Sequence, residues 1–185
     1  MWTTPEYTAD FCKRWLCKAH RCDLSDLGGA FDRFVSLFIA FNGLFSHFGL
    51  RSRCRGDRRQ ATSCFRTAVG EAALLAALRE DGGKDMQALA ALIGVGGDFF
   101  VCTDGHHQPD DEADERLKAH LTEGSPTQQV DAMLNYIYSV RCNMFHGHKA
   151  FVDSQLRMLR PLCRCLERVV LVGLQRFESV FGVAG

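Results

Sequence analysis

Ala30-Phe31-Asp32-Arg33-Phe34-Val35-Ser36-Leu37-Phe38-Ile39-Ala40-Phe41-Asn42-Gly43-Leu44-Phe45-Ser46-His47-Phe48-Gly49 is the stretch that decides the fold. Phenylalanine recurs at 31, 34, 38, 41, 45 and 48, in steps of 3, 4, 3, 4 and 3. That rhythm follows the 3.6-residue turn of an α-helix and places the rings in one stripe, widened by Leu37 and Leu44. Each ring removed from water contributes about 1.5–3 kcal/mol relative to exposure. The spacing predicts a central core helix, which Gly49 can end. Asn42 interrupts the apolar run. It sits on the solvent side of the helix or is a buried amide that needs partners.

Outward from this helix the chain reads as helical throughout. Residues 5–22 form a first helix on Phe11, Trp15 and Ala19. Residues 61–80 are rich in alanine and leucine and predict another, which ends near Asp81-Gly82-Gly83. A short helix follows over 84–93. Gly94-Val95-Gly96-Gly97 lacks the preceding strand and the spacing of a dinucleotide-binding turn. Residues 103–115 carry Asp104, Asp110, Asp111, Glu112, Asp114 and Glu115 around His106 and His107 and read as an acidic surface loop. Ser125-Pro126 starts a helix by capping logic, with Val130, Met133, Leu134, Ile137 and Val140 as its apolar face, running to about Phe145. The last helix spans about 150–181, and Pro161 within it predicts a kink or a split. No segment alternates in the manner of a strand. The expected fold is all-α: an up-and-down helical bundle of four main helices with shorter extra helices. It forms a single domain over 1–185, with a loop-rich insertion at 94–124.

The 185 residues hold 22 Lys plus Arg and 22 Asp plus Glu, so the formal charge is zero and a globally basic nucleic-acid binder is not indicated. Basic residues are nevertheless grouped. Arg51, Arg53, Arg55, Arg58, Arg59 and Arg66 stand against a single acid, Asp57. Arg157, Arg160, Arg164 and Arg168 recur at helical spacing. Solvation explains both groups in the ordinary case. Contact with a phosphate backbone is the functional reading, with Arg51, Arg53, Arg55, Arg157, Arg160 and Arg164 as RNA-binding candidates. Nine cysteines form no Cys-x-x-Cys pair and have no finger-like spacing, so no metal is expected. Residues 1–6 lack a basic start and an apolar run. The expectation is a cytoplasmic protein with reduced thiols, most of them small buried hydrophobes, and no membrane-spanning segment.

The chemistry gathers at Tyr138-Ser139-Val140-Arg141-Cys142-Asn143-Met144-Phe145-His146-Gly147-His148-Lys149, where one apolar helix ends. Arginine presents a permanently charged fork to phosphate oxygens, and histidine exchanges protons near neutral pH. Together they suit RNA cleavage by its own 2′-hydroxyl, which needs a base, an acid and positive charge on the phosphate, and no metal. Five residues of regular helix rotate by about 500°, which leaves Arg141 and His146 about 140° apart. Gly147 can redirect the histidine. The plainer reading has Arg141 capping carbonyls and His146 favoured by the helix dipole.

Arg141-Cys142-Asn143-Met144-Phe145-His146 resembles the R-x4-6-H motif of the HEPN superfamily. Phe38-Ile39-Ala40-Phe41-Asn42-Gly43-Leu44-Phe45 is similar to the aromatic-Asn-Leu-aromatic helix of many prokaryotic members. The resemblance covers about 30–181 as helix order. It departs at Cys142, where the family often has a polar residue, with Asn143 one position later. It implies a dimerising helical bundle and a metal-independent ribonuclease without cofactor. Arg141 and His146 would be catalytic, with Asn143, His148, Lys149 and Asn42 in support. Such proteins act in toxin–antitoxin or defence systems, so a homodimer, RNA and an antitoxin protein are the implied partners. A non-catalytic module for dimerisation, nucleotides or partner proteins is the alternative.

Overall fold

The computed structural model describes residues 4–95, 99–104, 106, 108–145 and 151–183. Among them there is no strand, and the chain is an all-α helical bundle. Four helices are long: α1 (Pro5–His20), α2 (Leu27–Arg51), α8 (Pro126–Phe145) and α9 (Leu156–Phe181). Between α2 and α8 lie the shorter α3 (Asp57–Arg59), α4 (Phe65–Val69), α5 (Glu71–Leu78), α6 (Lys84–Leu92) and α7 (Asp111–Glu123). A π-helical turn, Gln60–Cys64, joins α3 to α4.

The phenylalanine stripe is the core. Phe34, Phe38, Phe41, Phe45 and Phe48 are buried, while Phe31 is half-buried at the edge. Asp26 caps the helix by accepting from the Gly29 N–H at 2.9 Å. Gly29 is required there, since a Cβ would stand 2.1 Å from the Asp23 carbonyl oxygen. The principal neighbours of α2 are α1 and α9. On the α1 side the Cys12 thiol donates to the Ala40 carbonyl. On the other, Phe41 packs edge-on to Phe65 at 4.9 Å and Phe48 meets Phe177 at 5.5 Å. Gly173 lets α9 come this close, because a Cβ would lie 2.7 Å from Phe65. The apolar faces of 126–145 and 150–181 lead one to expect both of those helices on the stripe; α9 is there, but α1 takes the place expected of α8. Instead α8 packs mainly on α5, α7 and the π turn, reaching α2 at Phe38 through Arg141.

Several expectations need correction. The 25-residue α2 contains an 18-residue window of mean hydropathy 1.2, long and apolar enough to cross a membrane by length and composition, so an apolar run of that length does exist. Its apolar stripe is covered by the rest of the chain. The expected helix over 61–80 is interrupted at Gly70, whose φ of 105° favours glycine. Pro161 does not split α9. It stands in the second turn and removes only one intrahelical donor. The acidic segment is only partly a loop. Asp110 caps α7 by accepting from the Ala113 N–H, and Asp111, Glu112 and Asp114 occupy its first turn, where negative charge complements the helix dipole. Asp114 is buried and accepts from the Val101 and Cys102 N–H groups, which straps residues 99–102 to α7.

The cysteines divide into three kinds. Cys54 and Cys64 form a disulfide between the basic loop and the π turn, against the expectation of reduced thiols. Cys12, Cys163 and Cys165 are buried, and burial pushes their thiols up to about 12. These three are small buried hydrophobes, but Cys17 is exposed and Cys22, Cys102 and Cys142 are half-buried, so the expectation that most of the nine are buried is corrected.

Candidate functional site

The helix carrying the Arg–His motif begins with a reciprocal cap. The Gln128 side chain accepts from the Ser125 N–H at 2.8 Å, and the Ser125 hydroxyl accepts from the Gln128 N–H at 3.4 Å. Val130, Met133, Leu134, Ile137 and Val140 are buried, as their spacing predicts. The helix stays regular to Phe145. Arg141 therefore stands one turn before the end, with Phe145 one turn further along the same face.

Arg141 is half-buried, and its guanidinium lies 5.6 Å from the ring of Phe38 and 5.1 Å from that of Phe145. Its Nη1 donates to the Cys142 sulfur at 3.9 Å. No carboxylate among the described residues pairs with it. Cation–π contacts of this kind hold the charge at about 0.5–1 kcal/mol each.

A second arginine shares this surface. Arg58, on the short helix α3, lies 5.2 Å over the ring of Tyr138 and donates to the Ser139 hydroxyl at 3.1 Å. The Tyr138 hydroxyl donates to Asp57 Oδ2 at 2.8 Å. Burial, then the hydrogen bond to Asp57 and its charge, push the phenol well above its ordinary range, and the charges of Arg141 and Cys142 also reach it. Tyr138 is thus a fixed hydrogen-bond donor at neutral pH. Beside it stand two guanidinium groups without a carboxylate bridge among the described residues.

The other motif residues have separate roles. Asn143 is buried, and its side-chain amide donates to the Val101 carbonyl at 3.0 Å. It ties the end of α8 to the strapped segment 99–102 and does not support Arg141. Asn42 is half-buried and accepts from Ser46, one turn on along α2. His146, His148 and Lys149 lie outside the described residues, as does His107.

The basic candidates separate as sharply. Arg53, Arg55 and Arg59 are exposed, and Arg53 and Arg59 line a shallow groove with Ser63 and Thr67. Arg51 lies 4.9 Å over Phe181 at the far end of α9, and Arg157 lies 6.0 Å over Phe99. The α9 stripe is a different matter. Arg160 donates to the Leu24 and Ser25 carbonyls, each at 2.8 Å. Arg164 and Arg168 converge on Asp85, at 2.5 and 3.0 Å. Arg160 thus ties α9 to the loop before α2, and Arg164 ties it to α6, each through Nε and one terminal nitrogen. Sequence reasoning gave no role to Asp57, Tyr138 or Phe145, and placed Arg58 only within the basic group at 51–66. Phe145 was within reach, because a ring four residues from an arginine on a helix shares its face.

No protein-family model matches this chain, and neither do any of the curated proteins or the solved structures.

Proposed function

We propose that this protein is a metal-independent endoribonuclease of the HEPN type, with Arg141 and His146 as its catalytic pair. The observation that carries the reading is the setting of Arg141. Its charge rests on two aromatic rings, meets no carboxylate among the described residues, and stands beside the equally unbridged Arg58. A guanidinium placed only for stability would be expected to pair, as Arg164 does with Asp85.

In the proposed reaction the RNA 2′-oxygen loses its proton to a base and attacks the adjacent phosphorus. The bond from phosphorus to the 5′-oxygen breaks, and that oxygen takes a proton. The products are a 2′,3′-cyclic phosphate and a 5′-hydroxyl. Arg141 holds the phosphate oxygens as negative charge builds on them. His146 supplies one proton transfer, and a symmetric second chain supplies the other.

The test is incubation of the purified protein with mixed RNA in excess EDTA. Cleavage leaving 2′,3′-cyclic ends is expected, with loss of at least about 100-fold in Arg141→Ala and His146→Ala while both remain folded. Metal-dependent cleavage, or full activity in His146→Ala, overturns the mechanism. A second reading rests on the exposed rings of Phe145 and Phe151 and the exposed Val152 around the motif. They suit a dimerisation or partner-binding module without catalysis. A stable dimer that binds RNA without cleaving it would favour that module.

A further inference from the structure

The disulfide between Cys54 and Cys64 closes the basic segment onto the π turn. Residues 51–60 contribute no buried side chain, although they carry Arg53, Arg55, Arg58 and Arg59. Cys64 by contrast stands on anchored chain, with Ala61 before it and Phe65 after it fully buried. The bond therefore fastens a stretch without apolar anchorage to the core. Arg53 adds to the need for a fastening, because its φ of 55° is left-handed and unfavourable for a residue with a Cβ. The other ties of this stretch are polar or lie on a ring face. Gln60 Nε2 donates to the Cys54 carbonyl at 2.8 Å. The Tyr138 hydroxyl donates to Asp57, and Arg58 lies on Tyr138 and donates to Ser139. These contacts with Tyr138 and Ser139 join the stretch to α8, about one turn before Arg141. A segment held by such contacts alone opens readily. Both half-cystines are half-buried, and they line one groove with Arg53 and Arg59. A reductant approaches the bond along that groove, and the guanidinium groups there favour a leaving thiolate.

We propose that this disulfide is a redox switch, which holds Asp57 and Arg58 on α8 when formed and releases them when reduced. A dithiol reductant supplies the two electrons. One of its thiolates attacks a half-cystine sulfur, the bond between Cys54 and Cys64 breaks, and the other cysteine leaves as a thiolate and takes a proton. The second thiolate of the reductant attacks the mixed disulfide. The reductant departs as a disulfide, and the remaining cysteine is freed and takes the second proton. In the reduced chain Arg58 parts from Tyr138 and Ser139, and the Tyr138 hydroxyl loses Asp57. Arg141 keeps its place, because Phe38 and Phe145 lie outside the released segment. The inference rests on the ribonuclease reading only for its effect on RNA, where reduction takes Arg58 away from Arg141.

Amide hydrogen exchange on the full chain, oxidised and then reduced with dithiothreitol, tests the switch. Alkylation and mass spectrometry should count seven free thiols before reduction and nine after. Residues 54–59 should exchange about 10- to 100-fold faster in the reduced chain, the effect of opening a short cross-linked loop. The helices α2 and α9 should keep their protection. Cys54→Ser with Cys64→Ser should exchange like the reduced chain, with or without dithiothreitol. Unchanged exchange over 54–59 on reduction overturns the proposal. So does loss of protection throughout α2 and α9, which would make the bond a staple of the whole fold. A response to dithiothreitol that persists in the double variant belongs to the other thiols and overturns it as well. Should the double variant fail to fold, exchange in the unaltered chain decides alone. Where RNA is cut, equal rates from the oxidised and reduced chains also overturn the switch. A redox-dependent segment without RNA cleavage leaves the switch standing and sinks the ribonuclease. Cleavage in EDTA, with exchange over 54–59 blind to dithiothreitol, does the reverse.

Discussion

Arg164 and Arg168 on α9 reach across to Asp85 on α6, whereas Arg141 on α8 lies on the rings of Phe38 and Phe145 with no carboxylate beside it among the described residues. The two helices carry the same side chain for different ends. On α9 the fork is consumed by a buried acid, and its charge is neutralised where it stands. On α8 the flat face is packed on two rings and the N–H edge meets no carboxylate among the described residues. The lesson is that an arginine's neighbours, and not its position in a charged stripe, separate a helix clamp from an anion site. Binding sites keep their charge unspent, while structural pairs spend it on each other.

The strongest way to break this comparison is Arg141→Lys. It keeps the charge but loses the fork and the stacking plane, so cleavage should fall by about 10²-fold, as when one preorganised donor is removed. Thermal stability should move by less than ~1 kcal/mol. Single-turnover cleavage together with a melting curve checks both, and a variant that cleaves normally would make Arg141 a bystander.

Asp85→Ala should show the opposite profile. It leaves Arg164 and Arg168 without their shared acceptor and should cost about 2 kcal/mol, since charge-assisted hydrogen bonds are worth about 1.5–3 kcal/mol each and Arg164 is partly solvated. RNA affinity should be unchanged. Chemical denaturation that shows no loss of stability would remove the clamp from the description.

Charge reversal sharpens the contrast on the surface. Arg55→Glu with Arg59→Glu should weaken RNA binding and flatten its dependence on salt, with stability nearly constant. Arg164→Glu should instead lower the melting temperature and leave the salt slope as it was. Equal effects from both variants on the salt slope would mean that the two arginine groups act alike.

The smallest effect concerns pH. Burial works to raise the Glu167 carboxyl, but hydrogen bonds from Arg33 and His20 hold it below the ordinary glutamate range. A folded pKa below the unfolded one adds stability that is present above the unfolded value and lost as pH falls through the folded one. Stability should therefore decline on acidification below the usual glutamate range, and Glu167→Gln should flatten that part of the curve. An unaltered acid limb in the variant would show that other carboxylates set it.

Much of the bundle could be read from the chain because periodicity is a local property. The steps of 3 and 4 between phenylalanines fix a helix and its buried face, since only a 3.6-residue turn brings those rings together. Ser125-Pro126 announces α8, and the stretch from Val130 to Val140 announces the face it buries. The failures lie where a local signal competes with a distant one. The acidic run at 110–115 looks like a loop by charge, yet Asp114 is drawn inside by two backbone donors of residues 101 and 102. Cys54 and Cys64 have no distinctive spacing, and their pairing depends on a π turn that sequence does not declare.

The sequence by itself determined the four long helices, their apolar faces and the presence of arginine, cysteine and asparagine at the end of α8. Only the tertiary structure decided what those groups face. It gave Asn143 to the Val101 carbonyl, set Arg58 over Tyr138 and brought Asp85 beneath the α9 stripe. The physical reason is one of range. Helix formation and amphipathicity act over a few residues, whereas the pairing of a charge or an amide depends on groups that may be scores of residues away along the chain.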